Sequence, residues 1–364
     1  MGKFVRQLLP FGSLILIICT LSALKPDTFL TMDNFMNVLR RSSVNGIIAI
    51  GMTSIIISAG IDLSVGSMLA LCGMVGAYAM IAIGGSDPQG GSFVIGTVLG
   101  IFVGVICGFL NGVLITKLKL QPFIVTLGSM SAFRGISYVM NNGQPYNVPG
   151  YKYLGEGIVL LWKTVEKTVV NTIDNTTTKE VLKILPPWGA VDNSMTGEGI
   201  EIVKHGIPIS VIIFVVIVAI AGFLLKYSRL GRYTYAIGSN REAAFHAGVN
   251  VDRNLIYIYT FTGLLVGIAA MIATSRTVSA QPTAGIALEL DIIAAVVIGG
   301  ASLAGGRGTI TGTIIGTLLI SVLRNGCTLL GISTHIQLIV IGMIIILAVA
   351  VDQLAQTKTR ELQA

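Results

Sequence analysis

FVIGTVLGIFVGVICGFLNGVLI, residues 93–115, decides the fold class. The run has no charged side chain, and a helix needs about 20 apolar residues to cross a hydrocarbon core. Gly96, Gly100, Gly104, Gly108 and Gly112 recur at every fourth position and so share one helical face. Such a face lets another backbone approach closely, which is how helices associate inside lipid.

The rest of the chain agrees with this run. Of 364 residues, 53% are hydrophobic and 11% charged, and the mean hydropathy is +0.83. A soluble chain of this size still exposes a large part of its surface, which this composition does not suit. Disorder is excluded by the same figures, because disordered segments are poor in apolar residues. Apolar runs occur at 8–24, 44–60, 64–84, 93–115, 121–140, 208–226, 254–274, 288–304, 308–330 and 332–351. The reading is an all-α polytopic membrane protein with about ten transmembrane helices. Residues 1–364 form one transmembrane domain. The first run follows Lys3 and Arg6 and ends at Lys25 and Pro26 without a small-residue cleavage site, so it is read as a retained helix. Cys19, Cys72, Cys107 and Cys327 all lie in apolar runs and His205, His246 and His335 are scattered, a pattern without metal-ligand spacing.

The net charge of +7 is assigned to cytoplasmic loops rather than to nucleic-acid binding. With both termini cytoplasmic, Lys3, Arg6, Lys117, Lys119, Lys226, Arg229, Arg232, Arg241, Arg253, Arg307, Lys358 and Arg360 fall inside. Segment 141–207 then becomes an extracytoplasmic insertion that is close to neutral. Short amphipathic helices are expected in it at about 158–170 and 178–185. Arg40 and Arg41 fall outside, beside a short amphipathic stretch holding Phe35, Val38 and Leu39.

Two further glycine patterns stand out. GTIIG at 312–316 repeats GTVLG at 96–100, and Gly308, Gly312 and Gly316 continue the spacing of four. The two runs would cross in opposite directions, which suits inverted-topology halves of the kind transporters use. The rival reading is two unrelated glycine-rich helices. GIDLSVGS at 60–67 places Asp62 in apolar surroundings near the expected cytoplasmic end. Its simplest role is local: Asp62 or Ser64 accepts hydrogen bonds from the first amides of the next helix. Glu289 and Asp291 are read likewise, as acids that suit the first turn of the eighth run.

KYSRLGRYTYAIGSNREAAFHAGVNVDRN, 226–254, is too long for a simple turn. Within this cytoplasmic loop, 227–253, Asn240 can cap a short helix that Gly248 stops. Ala243, Ala244 and Ala247 would form its small-residue face. One reading is a solvated loop; the other is a surface helix that fits a groove in a cytoplasmic partner.

Gly238, Asn240, Ala243, Ala244, Gly248 and Val249 spell G-x-N-x-x-A-A-x-x-x-G-V, which resembles the coupling segment of ABC-transporter permeases of the ribose/galactose/xylose/arabinose family. Branched-chain amino acid permeases are related to it. GIDLSVG at 60–66, PFIVTLGSM at 122–130 and ELDIIAAVVIGGASLAGGRGT at 289–309 resemble the same family, in the same order. The long insertion 141–207 is the departure from its pattern.

The resemblance implies a subunit that translocates a monosaccharide across the cytoplasmic membrane and is not itself an enzyme. The chain lacks G-x-x-x-x-G-K-[ST], so ATP and magnesium are expected on a separate ATP-binding subunit. A second permease copy or paralogue and an extracytoplasmic sugar-binding protein complete the implied assembly. Gly238, Asn240, Arg241, Glu242, Ala243, Ala244 and Gly248 are then the coupling residues. Arg276 and Arg324, near the outer ends of their runs, are candidates for docking an acidic binding protein, against simple interfacial snorkelling. Asn45, Ser54, Ser58, Asn111, Thr126, Ser129 and Asn325 are candidates for a polar pathway, against hydroxyls that bond back to their own helix. Rival functions are import of a branched-chain amino acid, nucleoside or autoinducer by the same fold, an ion-coupled secondary transporter and a membrane enzyme. The ion-coupled reading would need mid-membrane carboxylates, and the enzyme a cluster of His, Asp or Glu.

Overall fold

The computed structural model describes residues 3–85, 88–171, 176–185 and 200–361. The first half runs α1 (Lys3–Leu24), α2 (Pro26–Phe29), α3 (Met32–Ile57), α4 (Val65–Gly84), α5 (Gly91–Lys117) and α6 (Pro122–Val139). Next come β1 (Tyr146–Asn147), α7 (Tyr153–Glu156), β2 (Ile158–Asn171), β3 (Thr176–Leu185) and β4 (Ile200–Pro208). The chain continues through α8 (Ile209–Tyr227), α9 (Arg229–Ser239), α10 (Arg241–His246) and α11 (Val251–Thr277). It closes with β5 (Ser279–Ala280), α12 (Leu288–Ile298), α13 (Ile310–Leu329) and α14 (Thr334–Glu361). Each apolar run of the sequence overlaps a helix, although the run 288–304 continues six residues past the end of α12. Among the described residues, five helices, α4, α5, α8, α11 and α13, are long and apolar enough to cross a bilayer. α12 is about 16 Å long at 1.5 Å per residue, too short to do so alone.

α8 separates two ends of the helical body. It leaves the β2–β4 sheet, the sheet end, and arrives at α9 and α10, the basic end. Helix α3 begins earlier than its apolar run does. Thr31 caps it by accepting the Asn34 amide at 3.2 Å, so Arg40 and Arg41 lie inside a long helix, not in a separate amphipathic stretch.

The glycine face of α5 serves two partners. At Gly96 and Gly100 an added Cβ would run into the backbone of α4 near Gly76 and Cys72. At Gly104 and Gly108 it would meet α11 at the Gly263 and Tyr259 carbonyls. α13 repeats the first arrangement, its Gly312 and Gly316 lying against Gly299 and Ala295 on and just after α12. Cys72 and Gly76 follow the start of α4 by seven and eleven residues, and Ala295 and Gly299 follow the start of α12 by the same intervals. α4 runs toward the sheet end and α12 toward the basic end. Gly308, expected on the same face, precedes α13 and lies against Ile57 instead.

The insertion differs from the helices expected of it. β3, β2 and β4 form an antiparallel sheet in that order, with Val169 opposite Thr178 and Ile158 opposite Pro208. Residues 158–170 and 178–185 are therefore strands. The reason is chemical: Ile158, Val159, Thr164, Val165, Thr168, Val169 and Val170 are β-branched, which suits strands better than helices. Positions 172–175 and 186–199 of the insertion lie outside the described residues.

Candidate functional site

At the basic end the capped helix is α10. Asn240 Oδ1 accepts the Ala243 amide at 2.9 Å, and Gly248 follows with φ of +84°, a left-handed turn that glycine adopts without strain. α9, which precedes it, escaped sequence reading; Ser228 caps it through the Gly231 amide at 3.2 Å. The two helices divide the coupling residues. Gly238, in α9, faces inward so closely that a Cβ there would collide with the Ile57 carbonyl. The Tyr235 hydroxyl donates to the Gly308 carbonyl at 2.8 Å, and burial raises its pKa above the ordinary tyrosine value, which keeps the donor protonated. On α10, Ala244 is 5% exposed and packs into the body of the chain, whereas Ala243 and Ala247 are exposed. The small-residue face is thus reduced to one residue, because a helix of six residues turns only Ala244 inward. Its solvent side carries Glu242, Ala243, Phe245 and His246, with Phe245 66% exposed. Arg241 leans on Asp252, at 3.7 Å and largely exposed, so this pair adds little stability.

A second cluster lies deep in the body, under GIDLSVGS. α3 ends at Ile57 beside Gly238, yet α4 begins beside Gly285, well above the basic end. Residues 58–64 bridge the gap as irregular backbone, exposed at Ala59 and buried at Gly60, Asp62 and Ser64, whose buried polar groups must be satisfied by protein. Asp62 Oδ1 accepts the Ser64 amide at 2.8 Å and the Ser64 hydroxyl at 2.6 Å. Ser64 Oγ accepts from Asn111 Nδ2 at 2.9 Å, and Asn111 Oδ1 accepts from the Ser129 hydroxyl at 2.6 Å. Thr126 donates to the Ile61 carbonyl at 3.3 Å. The helix-capping expectation is corrected here: Ser64 is the N-cap of α4 but its side chain caps no helical amide, and Asp62 holds Ser64 itself. Asp62 is fully buried, with Oδ2 unpaired.

The third cluster is a cavity of about 350 Å³ toward the sheet end. Arg41 and Asn45 of α3, Arg276 of α11, Asp291 of α12, Arg324 of α13 and Gln337 of α14 line it. Arg324 reaches Asp291 at two points, Nη2 to Oδ1 and Nε to Oδ2, each 2.7 Å, with exposures of 17% and 6%. Asp291 is therefore an ion-pair partner and not a cap; α12 starts after Ala287, a left-handed residue without a side-chain cap. Glu289 stands near Arg134, which donates to the Pro282 and Ala284 carbonyls at 2.7 and 2.6 Å and holds the turn before α12. Arg134 was not singled out in the sequence, since its partners lie about 150 residues away.

The predicted residues thus divide. Asn111, Thr126 and Ser129 converge on the buried segment, while Asn45, Arg276 and Arg324 converge on the cavity. Asn325 bridges to Asn34 at 2.8 Å, tying α13 to α3. Ser58 bonds back to the Ile55 carbonyl at 2.8 Å, and Ser54 is buried in α3. Neither arginine offered for docking stands on an open face: Arg324 is held by Asp291 and Arg276 is partly buried in the cavity.

A family profile described as branched-chain amino acid transport system / permease component matches residues 34–349. The ribose import permease protein RbsC of Haemophilus influenzae is 38% identical over 363 residues, covering 98% of this chain and 96% of that protein. RbsC of Bacillus subtilis is 40% identical, covering 96% of this chain and 93% of its own. The D-allose transport system permease protein AlsC of Escherichia coli is 34% identical, covering 94% and 90%. No solved structure matches the chain.

Proposed function

We propose a function from one premise: the chain belongs to the family of branched-chain amino acid transport system permease components. It is a multi-pass membrane subunit of an ATP-driven importer, a transport protein and not an enzyme, and its cargo is a monosaccharide. The observation that carries the cargo is near full-length similarity to ribose and D-allose permeases. An importer of this kind works with an ATP-binding subunit and a substrate-binding protein. Its place in this reading is the cytoplasmic membrane, with α9–α10 facing the cytoplasm and the insertion outside.

The finer reading concerns how motion reaches the bundle. Closure of the ATP-binding subunits, with ATP and magnesium bound there, would press on the exposed side of α10. Gly238 is in backbone contact with Ile57, so displacement passes to α3 and to the loop before α13. The matched pairs α4–α5 and α12–α13, running oppositely, support a chain of two inverted halves, ten crossings in all, that rock against each other. Differential contact with α10 in the two states shifts the population between inward and outward forms. A second copy of this chain or a paralogue supplies the other wall of the path.

Reconstitution in proteoliposomes with the ATP-binding subunit and the binding protein tests the reading. ATP-dependent uptake of ribose, allose or xylose is expected. Uptake without ATP, or by this chain alone, overturns it, and uptake of leucine in place of sugar moves the cargo to the amino acid branch that the family description names.

A further inference from the structure

We propose that the cavity between α3, α11, α12, α13 and α14 is an anion site, shaped for a small solute bearing a carboxylate or phosphate group. Three guanidinium groups meet there from three helices: Arg41, Arg276 and Arg324. The one carboxylate that lines it, Asp291, accepts from Arg324 Nη2 and lies 2.7 Å from its Nε, and its charge also acts on Arg41. Among the described residues, Arg41 and Arg276 have neither an ion pair nor a side-chain hydrogen bond. Arg40 adds to the imbalance, for its Nε is buried and unpaired, and the charges of Arg40 and Arg41 both act against Arg276. The other acid of α12, Glu289, stands near Arg134.

Cations gathered in partly buried surroundings repel one another and lose hydration, and three guanidiniums against the single Asp291 carboxylate favour a further counter-charge between them. A guanidinium presents a planar fork that matches the two oxygens of a carboxylate or phosphate. Asn45 and Gln337 add amide groups on the same wall, and the Gln337 Nε2 is already used on the Ile332 carbonyl at 3.0 Å, leaving its oxygen to accept from a hydroxyl. The volume of about 350 Å³ holds more than a bare oxyanion, so a sugar acid or sugar phosphate fits as well as inorganic phosphate. A neutral sugar would meet the amides but leave Arg276 uncompensated and Arg41 with only a share of the Asp291 charge. The proposal stands apart from the import reading, since it concerns binding by this chain alone.

The test uses the full chain in phosphatidylcholine nanodiscs at constant ionic strength, read by thermal unfolding. Inorganic phosphate and D-glucuronate are expected to raise the unfolding temperature saturably, and ribose at the same concentrations is not. Arg41→Gln and Arg276→Gln should each weaken the apparent affinity about tenfold, the loss of one charge-assisted contact, whereas Lys117→Gln, on exposed α5 surface, should not. If the glutamine forms fail to fold, Arg41→Lys and Arg276→Lys are read instead: charge is kept, the two-point fork is lost, and affinity still falls. Stabilisation that appears with phosphatidylglycerol discs and is matched by no soluble anion supports the chemistry and names a lipid headgroup as its source. No saturable effect from any soluble anion together with no stabilisation in phosphatidylglycerol discs, an equal effect from ribose, or an effect unaltered in both arginine variants overturns the proposal.

Discussion

The Ile57 carbonyl accepts the Gly306 amide at 2.8 Å, joining the last residue of α3 to the loop before α13. Gly238 lies against both residues, with no room for a Cβ. Three segments far apart in sequence therefore share one backbone junction at the basic end, directly behind α10. Gly306 has φ of +71°, a conformation suited to glycine, which lets the chain turn into this junction.

Gly238→Ala is expected to prise that junction apart. The methyl group must displace backbone rather than a flexible side chain, at about 1–3 kcal/mol. Thermal unfolding of the purified chain in detergent measures it, and a midpoint equal to wild type would contradict the contact.

α10 offers a clean separation of fold from coupling. Ala244→Glu buries a charge in the body of the chain and should deplete folded protein from the membrane. Phe245→Ala removes an exposed side chain, changes stability by no more than about 0.5 kcal/mol, and is expected to abolish ATP-driven uptake. Membrane abundance by immunoblot, set beside uptake, distinguishes the two; full uptake by the Phe245 variant would move the coupling contact elsewhere.

The glycine face of α5 makes its own forecast. Gly104→Ala should destabilise the chain by about 1–3 kcal/mol, because its Cβ meets the Gly263 carbonyl. Gly128→Ala, on α6 with open space around it, should be close to neutral. Equal unfolding temperatures for the two would place Gly104 against lipid.

Asp62→Asn keeps the acceptor for both bonds from Ser64, whereas Asp62→Ala leaves a buried amide and hydroxyl without a partner. The alanine form should lose about 1–3 kcal/mol more than the asparagine form. Asn111→Ala should resemble the alanine form, since it strands Ser64 and Ser129 together. Chemical denaturation in detergent checks the order, and indistinguishable stabilities would remove the structural role of the relay.

Much of the fold was legible because apolar runs and glycine spacing are local signals. The cap at Asn240 was readable for the same reason. The insertion reads as helical because its charged residues are spaced along apolar ones, while its β-branched content is the signal for strands. Ala244 was assigned to a partner although it serves this chain's own packing; nothing in a single turn of helix says which side faces inward. The relay from Asp62 to Ser129 and the meeting of Arg41, Arg276 and Arg324 depend on how distant helices are assembled, which no window of sequence contains. Asp291 looked like a dipole partner because its position suits one. Its true partner, Arg324, lies a helix away.

The Ile209 amide donates to the Gly157 carbonyl at 2.9 Å, at the base of the strands from 158 to 208. The chain thus departs and returns through a single doorway. Strands β2 and β3, joined to the bundle through that doorway, can lengthen or shorten together without moving the two chain ends it holds. The same place would accept a spliced-in affinity handle or fluorescent reporter, with the transport machinery left as it is.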